Sequence, residues 1–140
     1  EVVFGWRSFE TYPLATRVAG ATPVQVPLTG DLTYDLRAMA DAITDRTRLL
    51  IVNTPHNPTG LMLWVEALQA IVEEAERHDA LIVTDEVYEH LTFAAPHVPM
   101  AALPGAQDRT VSISSSAPSA PQLPTISSTS AATPPRSITA

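Results

Sequence analysis

Residues 53–60, Asn53-Thr54-Pro55-His56-Asn57-Pro58-Thr59-Gly60, constrain this chain more than any other stretch. Two prolines, an Asn-Pro step and a closing glycine exclude both a helix and a strand ladder and leave a tight polar turn. The turn follows Leu49-Leu50-Ile51-Val52, an unbroken apolar run of the kind buried on both faces of a parallel sheet. Beyond it, Trp64, Val65, Leu68, Ile71, Val72 and Ala75 recur at helical spacing, opposite a face of Glu66, Glu73, Glu74, Glu76 and Arg77. A strand that ends in a rigid polar turn and feeds a helix is where open α/β sheets bind ligands.

The remaining segments fall into the same alternation. Val2–Phe4 reads as a short buried strand. Ser8 is a candidate N-cap for a helix over Phe9–Ala19, which Gly20 closes, with Pro13 acceptable only in its first turn. Thr22–Leu28 alternates as a strand, Asp35–Ile43 forms a short helix, and Arg48–Val52 is the strand before the turn. Ala80–Val83 is a strand leading into Thr84-Asp85-Glu86-Val87-Tyr88. The stretch 93–104 is proline-rich and irregular, and Thr110–Ser114 is a last strand. This order predicts an α/β fold, a parallel-sheet α/β sandwich with helices on both faces.

Composition narrows the function classes. The net charge of −7 argues against a nucleic-acid partner, which requires a basic face. No apolar run approaches the ~18 residues of a membrane helix, so no membrane partner is expected and a cytoplasmic location is. With no cysteine there is no disulfide framework and no thiolate zinc site. The chain opens on Glu1 and runs straight into an apolar stretch, so it reads as a piece of something longer. All eight basic residues are arginine; the sequence contains no lysine. From Ser115 to Ala140, 21 of 26 residues are Ser, Ala, Pro or Thr. Such a segment cannot bury enough surface to offset its ordering entropy and is expected to be disordered.

Asn57 and Asp85 each lie just past the end of an expected parallel strand, and Tyr88 can reach back over the same edge. An amide, a carboxylate and a phenol converging there could hold a flat polar heteroaromatic ring, the carboxylate facing a protonated ring nitrogen. Ordinary loop capping by Asn and Asp is the competing reading. His56, His90 and His97 have no metal-ligand company at helical spacing and read as loop or rim residues, so no metal is expected.

Pro55-His56-Asn57-Pro58-Thr59-Gly60, followed after one helix and one strand by Thr84-Asp85-Glu86-Val87-Tyr88, resembles the pyridoxal-phosphate-dependent aminotransferases of class I/II, the fold-type I family. The resemblance implies that residues 1–117 are part of a large, cofactor-binding domain and that 118–140 stand outside it. It implies pyridoxal 5'-phosphate as cofactor. Asn57 and Tyr88 would bond its phenolic oxygen, and Asp85 would pair with its pyridine nitrogen. Phe9, with Tyr12 as runner-up, would stack on the ring, and Ser115 would bind the phosphate. It also implies a cis Asn57–Pro58 bond, amino acid and 2-oxo acid substrates, and a homodimer. The opening segment, Phe4 to Pro13, is similar to histidinol-phosphate aminotransferases. Residues 84–91 are more similar to the kynurenine and N-succinyldiaminopimelate aminotransferases.

One position departs from the family. Aligning Ser115-Ser116-Ala117 with the family's Ser-x-x-Lys motif puts Pro118 where the Schiff-base lysine belongs. The tail is therefore expected to be out of frame, and the chain is expected to be inactive. The alternatives are a non-catalytic pseudoenzyme or cofactor-binding fragment and, further off, an unrelated nucleotide-binding module, for which no glycine-rich phosphate loop is present.

Overall fold

The computed structural model describes residues 1–115, so the expectations for Pro118 and for the tail 118–140 lie outside the described residues. Five strands, β1 (Val2–Trp6), β2 (Pro23–Pro27), β3 (Leu49–Asn53), β4 (Leu81–Glu86) and β5 (Thr110–Ser114), form one sheet in the order β2-β1-β3-β4-β5. All four pairings are parallel, as the alternation of strands and helices predicts. The strand order changes direction between β1 and β3, which makes their carboxyl ends a topological switch point.

Strand pleating sends alternate residues to opposite faces. Val3, Leu50, Val52 and Ile82 point to one face and pack with Leu68, Ile71, Val72 and Ala75 of α3 (Val65–Arg77) and Met39 of α2 (Leu36–Asp41). Val2, Phe4 and Ile51 point to the other face and pack with Tyr12 of α1 (Thr11–Val18). Helices thus cover both faces. On the α1 side, Leu81, Val111 and Ile113 stay exposed.

Several boundaries differ from expectation for identifiable reasons. Ser8 is not a cap: it is buried, and its hydroxyl turns to the Asn53 side chain, 3.5 Å away. Helix α1 starts only at Thr11, which places Pro13 in the first turn, where no intrahelical donor is needed. Asp35 caps α2 rather than joining it, its carboxylate accepting from the Ala38 N–H at 2.9 Å. Trp64 and Val65 belong to the periodic apolar stripe but are exposed; Trp64 is the N-cap and Val65 the first residue of α3. The proline-rich stretch is more than a connection. It buries Met100, Leu103 and Ala106 against the α3 side of the core, a spacing of three set by the 3-10 turn at Met100–Ala102 and by a turn that the Ala106 N–H closes on the Leu103 carbonyl at 3.1 Å.

Candidate functional site

The carboxyl ends of β1, β3 and β4 carry the residues that the sequence singles out. In register, Asn53 at the end of β3 lies opposite Asp85 in β4. Asn53 is buried and braces three segments. Its amide donates to the Asp85 carbonyl at 2.9 Å, its side-chain oxygen accepts from the Asn57 N–H at 2.6 Å, and that same oxygen faces Ser8. Asn57 is thereby tied to the strand next to Asp85. The Asn57–Pro58 bond is cis, and so is Thr54–Pro55.

Beneath the turn lies a residue that the sequence did not advertise. The Tyr34 hydroxyl accepts from the Asn53 N–H at 3.0 Å and donates to the Asn53 carbonyl at 3.2 Å. Its ring meets His56 edge-to-face, centroids 5.4 Å apart. Burial pushes the Tyr34 phenol up to about 12, so it stays neutral and keeps its proton for that bond. The ring reaches this place only because β1 carries Gly5: a Cβ there would come within 2.2 Å of Tyr34 Cε1. From the sequence Gly5 reads as part of a turn after Val2–Phe4; it lies instead inside β1, where a glycine marks a close approach without naming what approaches.

Asp85 is 8% exposed. One carboxylate oxygen accepts from the Tyr12 hydroxyl at 2.5 Å and the other from the Val87 N–H at 3.3 Å. Burial, and then the bond to Asp85, hold the Tyr12 phenol far above its usual range, so Tyr12 is a neutral donor. Phe9 stands edge-to-face on Tyr12, centroids 5.6 Å apart, and is 43% exposed. Of the two aromatic candidates, Phe9 therefore presents open surface, while Tyr12 is committed to the core and to Asp85.

Asn57 and Tyr88 line one pocket of about 240 Å³ with Pro55, His56, Pro58, Gly60 and Leu91. Gly60 closes its turn at φ 72°, and its N–H bonds the His56 carbonyl at 2.7 Å. Asp85 and Phe9 lie outside this pocket's lining. Ser115 is exposed at the end of β5, where its hydroxyl donates to Glu89 at 3.3 Å. The structure therefore joins Asn57 to Tyr88, and Asp85 to Tyr12, on one sheet edge.

Residues 1–117 match the family model for aminotransferase class I and II. The chain belongs to that family. Among curated proteins, it is 61% identical over 88 residues to an aromatic amino acid aminotransferase of Mycobacteroides abscessus, an alignment covering 63% of this chain and 25% of that protein. The protein of the same name from Mycolicibacterium vanbaalenii is 59% identical over 88 residues, 63% of this chain and 24% of that one. Among solved structures, N-succinyldiaminopimelate aminotransferase from Mycobacterium tuberculosis superposes with a TM-score of 0.77 at 43% identity, covering 81% of this chain and 30% of that one. The aromatic aminotransferase from Pyrococcus horikoshii gives 0.76 at 34% identity over 81% of this chain and 31% of its own. The parallel sheet is thus the fold of this aminotransferase family, and the chain spans about a quarter of the length of the curated relatives it matches. Among the described residues, no helix is long and apolar enough to cross a membrane.

Proposed function

We propose that residues 1–117 are the ring-binding part of an aminotransferase large domain, that 118–140 are out of frame, and that this chain holds pyridoxal phosphate without turning over substrate. When bound, the cofactor supplies a ring that withdraws electrons from the α-carbon of an attached amino acid. The strand-end residues fit such a ring. Asn57 and Tyr88 share a pocket and offer an amide and a phenol to a ring oxygen. Asp85 offers a carboxylate to a protonated ring nitrogen. It already accepts two bonds, and an ionised carboxylate has about four lone-pair sites, so capacity remains. Phe9 offers an exposed ring face, and Ser115 an exposed hydroxyl for the phosphate.

The covalent anchor does not fit. The sequence contains no lysine, and the proline at position 118 has no amine to offer. No proton shuttle is assigned to this chain. For a full-length protein carrying the same domain, the reading is amino-group transfer between an amino acid and a 2-oxo acid by a cytoplasmic homodimer. An aromatic substrate is supported by the names of the curated relatives. The observation that carries the reading is a strand-end set of Asn57, Asp85 and Tyr88 in a lysine-free sequence.

Equilibrium dialysis against pyridoxal phosphate, with a transamination assay on phenylalanine and 2-oxoglutarate, tests it. The chain should retain cofactor, and Asp85→Asn should weaken retention by about tenfold or more, the worth of a charge-assisted bond. Turnover should equal that of free cofactor. Turnover above that background, or retention indifferent to Asp85→Asn, overturns the proposal.

A further inference from the structure

Glu86, Glu89 and His97 converge although nothing in their spacing announces it. Glu86 ends β4, and the next turn, closed by the Glu89 N–H to the Glu86 carbonyl at 2.8 Å, brings the second carboxylate back to the same edge. His97 arrives from the proline-rich stretch that packs beside α3. One ligand atom from each residue lies within 4.8 Å of the other two. His97 has no such company at helical spacing; the two carboxylates reach it through tertiary packing.

The imidazole gives the cluster its meaning. The His97 side chain is 9% exposed, and its Nε2 lies 3.4 Å from Oε2 of Glu86, whose side chain is 3% exposed. Nε2 is nonetheless buried without a hydrogen-bond partner. A buried nitrogen facing a buried carboxylate without a bond is costly to both groups. The same 3.4 Å is the edge of a tetrahedron whose metal–ligand bonds are about 2.1 Å. The carboxylates are also pre-aimed. Glu86 Oε1 accepts from the Thr84 hydroxyl at 3.0 Å and the Met100 N–H at 2.8 Å, leaving Oε2 turned to His97. Glu89 Oε1 accepts from the Ser114 hydroxyl at 2.6 Å. Outer bonds of this kind orient metal ligands.

We propose that Glu86, Glu89 and His97 bind a divalent cation of the zinc class, with water as the fourth ligand. One imidazole nitrogen and two carboxylate oxygens suit zinc, whereas magnesium and calcium take about six or more oxygens. Among the described residues Glu86 is in no ion pair with an arginine, and its buried Oε2 has the His97 imidazole opposite it. The ion would staple the 93–106 stretch to the end of β4.

The test is titration of the metal-free full chain with Zn²⁺ by calorimetry and with Co²⁺ by visible absorption. One equivalent should bind, the Co²⁺ form should show the intense bands of four-coordination, and Zn²⁺ should raise the unfolding midpoint. His97→Ala and Glu89→Gln should each weaken binding by at least about tenfold, since losing an outer partner alone costs about 10–100-fold. His97→Ala leaves the Glu86 bonds to Thr84 and Met100 in place, and circular dichroism verifies its fold. His78→Ala removes an imidazole bonded to Glu74 elsewhere and should change nothing. Absent or unsaturable binding, or binding that survives His97→Ala, overturns the proposal.

Discussion

The turns after β3 and β4 sit side by side on one sheet edge and differ in how far they lean on remote side chains. The first takes most of its shape from its own residues, with Tyr34 and the Asp85 carbonyl bracing its start at Asn53. Its prolines, its terminal glycine and two short-range bonds, His56 to Thr59 and Gly60 to His56, involve residues within 53–61. The second is specified from a distance. Asp85 is held by Tyr12, and Glu86 by Met100. A locally written turn keeps its shape when its neighbours change. A turn assembled from remote partners loses it when any one of them is removed.

The largest expected effect therefore lies in the second turn. Glu86→Ala should cost roughly 2–5 kcal/mol in urea unfolding, because it strands the buried Met100 N–H and Thr84 hydroxyl. A loss below about 1 kcal/mol would show that the 93–106 stretch repacks freely and that the contrast between the turns is overstated.

Asn53→Ala attacks the brace that joins the turns. It leaves the Asn57 N–H without its acceptor, while the Asp85 carbonyl keeps its bond from the Thr54 N–H. The expected loss is about 1–3 kcal/mol by the same measurement. A nuclear magnetic resonance comparison sharpens the contrast, since shifts should spread to both turns. Changes confined to the first would mean that Asn53 serves that turn alone.

The smallest effect belongs to the first turn. Burial holds the His56 imidazole below its ordinary value of 6.5. The unfolded chain then binds more protons than the folded one, so stability is greatest above about pH 7 and falls as pH drops through 6.5. His56→Gln should flatten that part of the stability–pH curve. An unchanged slope would assign the acid sensitivity to other groups.

How much was legible follows from the same contrast. The unbroken run at 49–52 and the helical spacing at 65–75 predicted β3 and α3, because periodicity reports which face of an element is buried. The residues Asn57, Asp85 and Tyr88 could be named from two linked motifs, and Phe9 only from the family resemblance those motifs carry. Their actual partners could not. Tyr12 looked like an alternative stacking residue and instead bonds Asp85, and Tyr34 carried no motif at all. His97 looked like a rim residue because its neighbours are distant in sequence.

The sequence by itself determined the alternation of elements, the rigid turn at 53–60, the family and the absence of lysine. Those are properties of local spacing, turn chemistry and composition, and they hold before any segment meets another. Only the tertiary structure decided that Tyr34 would support Asn53 through the gap at Gly5, that Tyr12 would hold Asp85, and that His97 would face Glu86. Each of those pairings satisfies or confronts a buried polar group, and which partner such a group finds depends on strand order and register, which no single segment contains.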